Sequence, residues 1–223
     1  MYKKLPFFLL LIFLFQLGNA QIAYRLKADI LTKTRLPDST FQISKGIIHY
    51  DKNIKKIIFD FTFPEKEKVV LFDTIMSRYR NGEMVERTSS FLIPEQSFFH
   101  FMLSGNISNY GFDEANFLAK GIEKKKDMVI TTYVPPDNVK AYLSKILVAT
   151  KNKQLYSITM MGPDGNVLNR QILKKYHVIN GLDIPYEILI ATYIDDKVMY
   201  QVISLDKVVL NEEGHDENYN YEL

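Results

Sequence analysis

Residues 54–63 read IKKIIFDFTF, and the alternation within them decides the fold. Large apolar side chains fall at every second position, which puts them on one face of an extended chain because successive strand side chains point to opposite faces. They are Ile57, Phe59, Phe61 and Phe63. A face this apolar needs a deep partner surface. Pro64 then ends the strand, since proline cannot donate to a strand ladder.

Alternation continues on both sides of this stretch. Tyr24–Ile30 alternates apolar and charged residues, and turn signals at Asn81-Gly82, Pro163–Asn166 and Asn180-Gly181 separate further strands. The chain then holds roughly ten strands with turns about every 8–12 residues. This pattern predicts a mainly β (α+β) protein built as an antiparallel sandwich, a barrel or a strongly curved sheet.

Helix is predicted in three short segments. The first runs from Pro94 to Leu103, because proline is favoured at a helix start. It carries a dense apolar stripe. The stripe consists of Phe98, Phe99, Phe101 and Met102. Residues 113–120 and 137–144 are the other two candidates.

The chain has a predicted export signal. Residues 1–20 place two lysines before an apolar stretch and end on Gly18-Asn19-Ala20, the order of a secretory signal, so cleavage is expected after Ala20. Residues 21–211 show no linker or repeat and are predicted to form a single domain. Residues 212–223 are acidic and are expected to be a flexible, solvated tail.

Composition excludes several functional classes. The 223 residues contain 28 Lys and Arg, 26 Asp and Glu, and no Cys, and two of the lysines lie in the signal. A neutral body argues against nucleic-acid binding, and the missing Cys excludes disulfides, thiolate metal sites and a lipid-modified N-terminal Cys. No nucleotide-binding, hydrolase or metalloprotease motif is present, so we expect no catalytic residues, no cofactor and no metal.

The four histidines carry no such chemistry either. None of them has a second histidine at metal-ligand spacing, and each is interpreted as a surface or hydrogen-bonded structural residue. They are His49, His100, His177 and His215.

The number of large apolar side chains leaves two interpretations open. Helix and sheet can close a solid core, or the helix can cover a hollow that accepts an acyl chain. In the second case each buried methylene contributes roughly 0.8 kcal/mol to binding. Periodicity alone does not decide between them.

Four stretches of the sequence resemble the bacterial periplasmic lipoprotein-carrier superfamily, the LolA-like and LolB-like proteins. The resemblance lies in their order and spacing, and it covers about residues 46–212. The first, Gly46–Asn53 with Ile57–Phe61 and Pro64, is similar to that family's glycine-led strand and the aromatic strand after it. The others are Ile93–Gly105, similar to the helix in the mouth of the sheet, Leu155–Tyr176, similar to paired strands around a turn, and Val208–Glu212, similar to the closing strand.

The resemblance implies an incomplete antiparallel barrel lidded by short helices, and a periplasmic carrier that moves the acyl chains of lipoproteins or lipids toward the outer membrane. Inner-membrane donor and outer-membrane acceptor proteins would be its partners, and a monomer is expected. The alternative is a cell-envelope scaffold with a filled core and no ligand. Alternation predicts that the cavity is lined by Phe59, Phe61, Phe63, Phe98, Phe101, Met102, Ile158 and Met160.

Overall fold

Thirteen antiparallel strands form one sheet in the computed structural model, which describes residues 23–90, 94–104, 106–113, 115–194 and 197–221. The predicted signal at residues 1–20 lies outside these residues. Within the described residues, one α-helix and three 3-10 turns accompany the sheet. The strands are β1 (Arg25–Arg35), β2 (Phe41–Asp51), β3 (Lys56–Phe63), β4 (Glu67–Phe72), β5 (Ile75–Arg80), β6 (Glu83–Ser89), β7 (Leu118–Lys125), β8 (Met128–Val134), β9 (Lys145–Lys151), β10 (Gln154–Met161), β11 (Val167–Ile179), β12 (Leu182–Ile194) and β13 (Lys197–Leu210). The helix is α1 (Phe98–Ser104), and the 3-10 turns are Pro94–Gln96, Asn106–Gly111 and Asp216–Asn218.

The sheet is curved and not closed. Its order is β6-β5-β4-β3-β2-β1-β13-β12-β11-β10-β9-β8-β7, so two meanders meet at the pairing of β1 with β13. Strands β6 and β7 are the two edges, and the helical segment that contains α1 connects them in the chain. The predicted incomplete antiparallel barrel with short helices is therefore confirmed.

Side-chain alternation assigns the two faces of the sheet. Leu26, Ala28 and Ile30 of β1 are buried on one face, which we call the inner face, and the buried Ile48 and Tyr50 of β2 lie opposite Ala28 and Leu26. The main hydrophobic core lies on this face together with α1. The other face, the outer face, carries charged residues of the same strands.

The hairpins predicted at Asn-Gly pairs are confirmed, because both turns adopt the positive φ angles that Asn and Gly tolerate. Two helix predictions are wrong. Leu118–Lys125 pairs with β8 instead, and residues 137–144 form isolated turns that are too short to nucleate a helix. Strands β4 and β5 are joined by a tight turn at Asp73, whose φ is 54°.

In the C-terminal segment 211–221, Tyr219 and Tyr221 pack against the outer face while residues 213–217 are exposed, so the expectation of a solvated tail fails at these two aromatic residues. Tyr219 is only 1% exposed. The centroid of its ring lies 4.6 Å from the Arg25 Cζ and 5.2 Å from the centroid of the His49 ring, which it meets edge-on. Tyr221 packs on a small apolar cluster of Ile58, Val70 and Tyr79. Two aromatic side chains thus hold an acidic segment on the sheet.

Candidate functional site

Helix α1 occupies the inner face of the sheet. Six of its seven residues are buried, and only Ser104 is not. Ser97 begins the helix: its Oγ donates to the Pro94 carbonyl at 2.6 Å and accepts from the His100 backbone N–H at 3.2 Å. A serine cap of this kind satisfies a backbone donor that has no partner within the helix. The local sequence therefore fixes where the helix begins and leaves its apolar side chains to fill the sheet.

Aromatic rings from α1 form a continuous layer with rings from the sheet and from the segment after the helix. The ring centroids of Phe98 and Phe99 are 3.9 Å apart, and Phe99 meets Phe59 at 6.4 Å. Phe101 stacks on Phe112 at 5.0 Å, which in turn stacks on Tyr133 at 4.4 Å. These contacts show that the helix fills the inner face with its own side chains.

Seven of the eight side chains predicted to line a cavity belong to, or pack against, this one core cluster. Phe98, Phe101, Met102 and Ile158 are fully buried in it, while Phe59, Phe61 and Met160 are partly buried and pack against it. Phe59 and Phe61 are stacked with centroids 5.6 Å apart. Contact of any of them with an acyl chain stays a prediction.

Phe63 does not lie with them, and its predicted position on the inner face is wrong. A β-bulge at Thr62 of β3 shifts the register, so that Phe61 lies opposite Gly46 but Phe63 lies opposite the adjacent Lys45. Its ring lies 5.9 Å from the Lys45 Nζ, and the side chain is 48% exposed. The bulge therefore turns the last aromatic residue of β3 toward the outer face.

Two cavities open near the segment that follows α1, and the smaller one also borders α1 itself at His100 and Phe101. One has a volume of about 330 Å³ and the other about 620 Å³, and both are bordered by Asn116, Phe117 and Pro136. Of the eight predicted cavity residues, Phe101 alone borders the smaller cavity and none borders the larger. The smaller one is lined by Lys52, Lys55, Glu95, His100, Phe101, Gly111, Phe112, Ala115, Asn116, Phe117, Pro136, Asn138 and Val139.

A buried polar contact ties α1 to the sheet next to the smaller cavity. The Tyr50 hydroxyl and the His100 Nδ1 are 2.8 Å apart. Burial raises the pKa of the Tyr50 hydroxyl well above its usual value, so this group stays neutral. Gly111 has a φ of 83°, and a Cβ there would lie 2.5 Å from the His100 Nε2. The pair positions the helix, as expected for a hydrogen-bonded structural histidine.

The rim of the smaller cavity is charged while its floor is aromatic. Lys55 pairs with Glu95 at 3.1 Å, and Lys52 also lies on the rim. Phe101, Phe112 and Phe117 contribute the apolar surface. Such a combination suits an amphiphile with a polar end in water and an apolar chain inside. Among the described residues, no group of three or more His, Asp or Glu is placed to hold a metal ion.

Sequence reasoning missed several residues of the site. Phe112, Phe117 and Tyr133 come from loops and from β8, and only their aromatic character could have signalled them. The Ser97 cap had a local signal, because serine before an apolar helix is a common N-cap. In the described ranges, no helix has both the length and the apolar character needed to span a bilayer.

Comparisons with solved structures show that the chain has a LolA-like fold. A LolA superfamily protein from Nitrosomonas europaea superposes with a TM-score of 0.62 at 14% identity, over 90% of this chain and 92% of that one. A DUF1329 family protein from Desulfovibrio piger gives 0.63 at 12% identity, covering 90% and 91%. A structure reported as an outer membrane lipoprotein-sorting protein domain, from Vibrio parahaemolyticus, gives 0.63 at 10%, covering 87% and 89%. No family model and no curated protein matches the sequence.

Proposed function

We propose that this protein is a carrier of the cell envelope that holds the acyl chains of lipids or lipoproteins on the inner face of its sheet, with α1 as a plug that the acyl chain displaces. One observation carries this proposal. A seven-residue helix buries six of its side chains on a sheet that is open at its edges, so a separate and short element supplies the filling.

The plug is of a kind that can be exchanged for an acyl chain. Its buried side chains are apolar apart from His100, and an acyl chain offers contacts of the same chemistry. A chain of about sixteen carbons gains on the order of 10 kcal/mol when its methylenes leave water. That gain can offset the exposure of the few aromatic side chains that leave the sheet.

The plug is also short enough to move. Helices shorter than about 12 residues are marginal without tertiary contacts, so α1 depends on the contacts that hold it to the sheet. The Tyr50–His100 hydrogen bond is one polar tie, and the smaller cavity leaves open space directly beside the helix at His100 and Phe101. Methionine and aromatic side chains repack readily against a new apolar surface.

Envelope location and non-enzymatic action complete the proposal. The predicted export signal would deliver the chain to the periplasm, and one structure with the same fold is reported as an outer membrane lipoprotein-sorting domain. The role we infer is transfer of acyl chains toward the outer membrane between donor and acceptor proteins, without catalysis.

A scaffold with a permanently filled core is the second candidate, and the close aromatic packing around α1 favours it. The absence of Cys from the chain makes a direct test simple, because one introduced cysteine is the only thiol. Met102→Cys places it on the plug, and Ile48→Cys places it on the sheet; both positions are buried.

If the protein is a carrier, a lipopeptide should speed maleimide labelling of Met102→Cys and leave Ile48→Cys protected, because the acyl chain replaces the helix over the sheet. The scaffold predicts the same slow labelling of both variants with and without lipopeptide, and that result would exclude the carrier. Mass spectrometry of natively purified protein gives an independent measurement, because a carrier should retain a lipid.

A further inference from the structure

The outer face of the sheet is divided into a covered half and an uncovered half. The C-terminal segment covers the half around Arg25, His49 and Ile58. At the other end of β1 and β2, apolar side chains are exposed. We call this second area the outer patch; its apolar members are Phe41, Ile43, Phe63 and Tyr200, which are 75%, 43%, 48% and 49% exposed.

Strand register places these side chains side by side. Phe41 lies opposite Arg35, and Arg35 lies opposite Tyr200, so the three residues form one row across β2, β1 and β13. Ile43 and Lys33 form the next row. Large exposed apolar areas on a soluble domain mark interaction sites, whereas isolated apolar residues do not.

Cations are interleaved with the apolar side chains. Lys33, Arg35 and Lys45 lie on the same face, and Arg170 lies one strand further, opposite Ala191, which itself lies opposite Tyr200. In the part of the chain that the structure describes, none of these four forms an ion pair with a carboxylate.

Four described carboxylates that lie close to the outer patch in sequence or strand register already have partners, and Asp29 and Asp60 pair with Lys207 and Lys68. Asp38 accepts from the Thr40 backbone N–H and hydroxyl, and Glu187 pairs with Lys175 at 2.6 Å. Asp195 and Asp196 follow β12 in the sequence and lie outside the described residues. The outer patch is therefore apolar and cationic, which is complementary to an anionic, amphiphilic surface.

We propose that the outer patch docks the protein on an anionic lipid surface. Aromatic rings favour the headgroup region of a bilayer, and each lysine or arginine near an anionic surface strengthens binding by roughly fivefold. A second copy of the chain fits the patch less well, because a symmetric contact would bring the cations of both copies together. The proposal holds whether or not the inner face carries an acyl chain.

Vesicle sedimentation tests the proposal with the full protein. Binding to vesicles of phosphatidylcholine with phosphatidylglycerol is compared with binding to phosphatidylcholine alone, at about 0.1 M and about 1 M salt. The variant Phe41→Ser/Tyr200→Ser removes two aromatic anchors, and its control is Ile122→Ser/Tyr142→Ser, which changes two exposed apolar residues outside the outer patch, 71% and 72% exposed. Lys33→Gln/Lys45→Gln removes two cations.

We expect binding to the anionic vesicles that weakens at high salt. The aromatic variant should bind at least about tenfold more weakly than the control, and the loss of two cations should cost about 25-fold, the product of two fivefold effects. Equal binding to both vesicle types, or unchanged binding by the patch variants, would overturn the proposal. A third result would also overturn it: no vesicle binding, together with a dimer in ultracentrifugation that the aromatic variant abolishes. The patch would then join two copies of the chain.

Discussion

Truncating the plug should weaken the fold and strengthen lipid binding at the same time. Phe99 is 2% exposed and contacts the rings of Phe98, Tyr50 and Phe59. Replacing a buried phenylalanine by alanine costs about 3–5 kcal/mol, which combines the lost transfer free energy with the cavity left behind. Phe99→Ala should lower the free energy of unfolding by this amount in urea titrations followed by circular dichroism.

The same loss should appear as a gain in affinity. If α1 must leave the sheet before an acyl chain enters, its contacts oppose binding, and every 1.4 kcal/mol of weakened contact tightens binding by about tenfold. A loss of 3–5 kcal/mol corresponds to an upper limit of roughly a hundred- to four-thousandfold. We expect at least a tenfold tighter Kd for a fluorescent lipopeptide in Phe99→Ala.

Leu173→Ala is the control, because Leu173 is equally buried but belongs to β11 in the sheet. It should lose about 2–5 kcal/mol of stability without tighter binding, since its contacts are not exchanged for the ligand. A Phe99→Ala protein that loses stability like the control and binds lipopeptide no better would refute the idea of a displaceable plug.

Three further predictions concern the rest of the fold. Burial, with the positive charge of a nearby lysine, lowers the pKa of His49 to about 4. Because the unfolded state takes up the proton first, the free energy of unfolding should fall by up to about 3 kcal/mol as the pH drops from about 6.5 to about 4. This dependence of stability on pH should be weaker in His49→Gln. Tyr219→Ala should cost roughly 3 kcal/mol in urea unfolding, against less than about 0.5 kcal/mol for the exposed Tyr142→Ala; equal values would mean that the C-terminal segment does not hold the sheet. Gly46→Ala drives a Cβ into the backbone oxygen of Asp60 in β3 and should lower the free energy of unfolding by more than about 1 kcal/mol, whereas Gly121→Ala, with no heavy atom within 4 Å of its Cβ, should leave the melting temperature nearly unchanged.

Local patterns predicted most of the architecture because they depend on neighbouring residues. Alternation assigned Leu26, Ala28 and Ile30 to one face, and Asn-Gly pairs marked hairpins whose turns need positive φ angles. The apolar stripe of α1 was likewise visible in the sequence. Each of these features requires only a short stretch of chain.

Features that depend on distant residues were missed. The inner position predicted for Phe63 is wrong because the pairing of β3 with β2 contains a bulge, which places Phe63 opposite Lys45. The C-terminal segment was expected to be solvated because it is acidic, yet Tyr219 finds Arg25 and His49 on the first two strands. Periodicity states which side chains point inward but not the volume that they enclose, so it could not decide between a plug and a hollow.

The pairing of the first strand with the last has a consequence for how the chain matures. Two meanders can form locally as the polypeptide emerges, but β1 meets β13 only after almost the entire chain has been synthesised. The Asn211 side chain, just beyond β13, then accepts hydrogen bonds from the backbone N–H groups of Tyr24 and Arg25, which stabilises the pairing of β1 with β13. Completion of the sheet thus waits for β13, and until then a nascent chain keeps the facing borders of the two meanders unpaired.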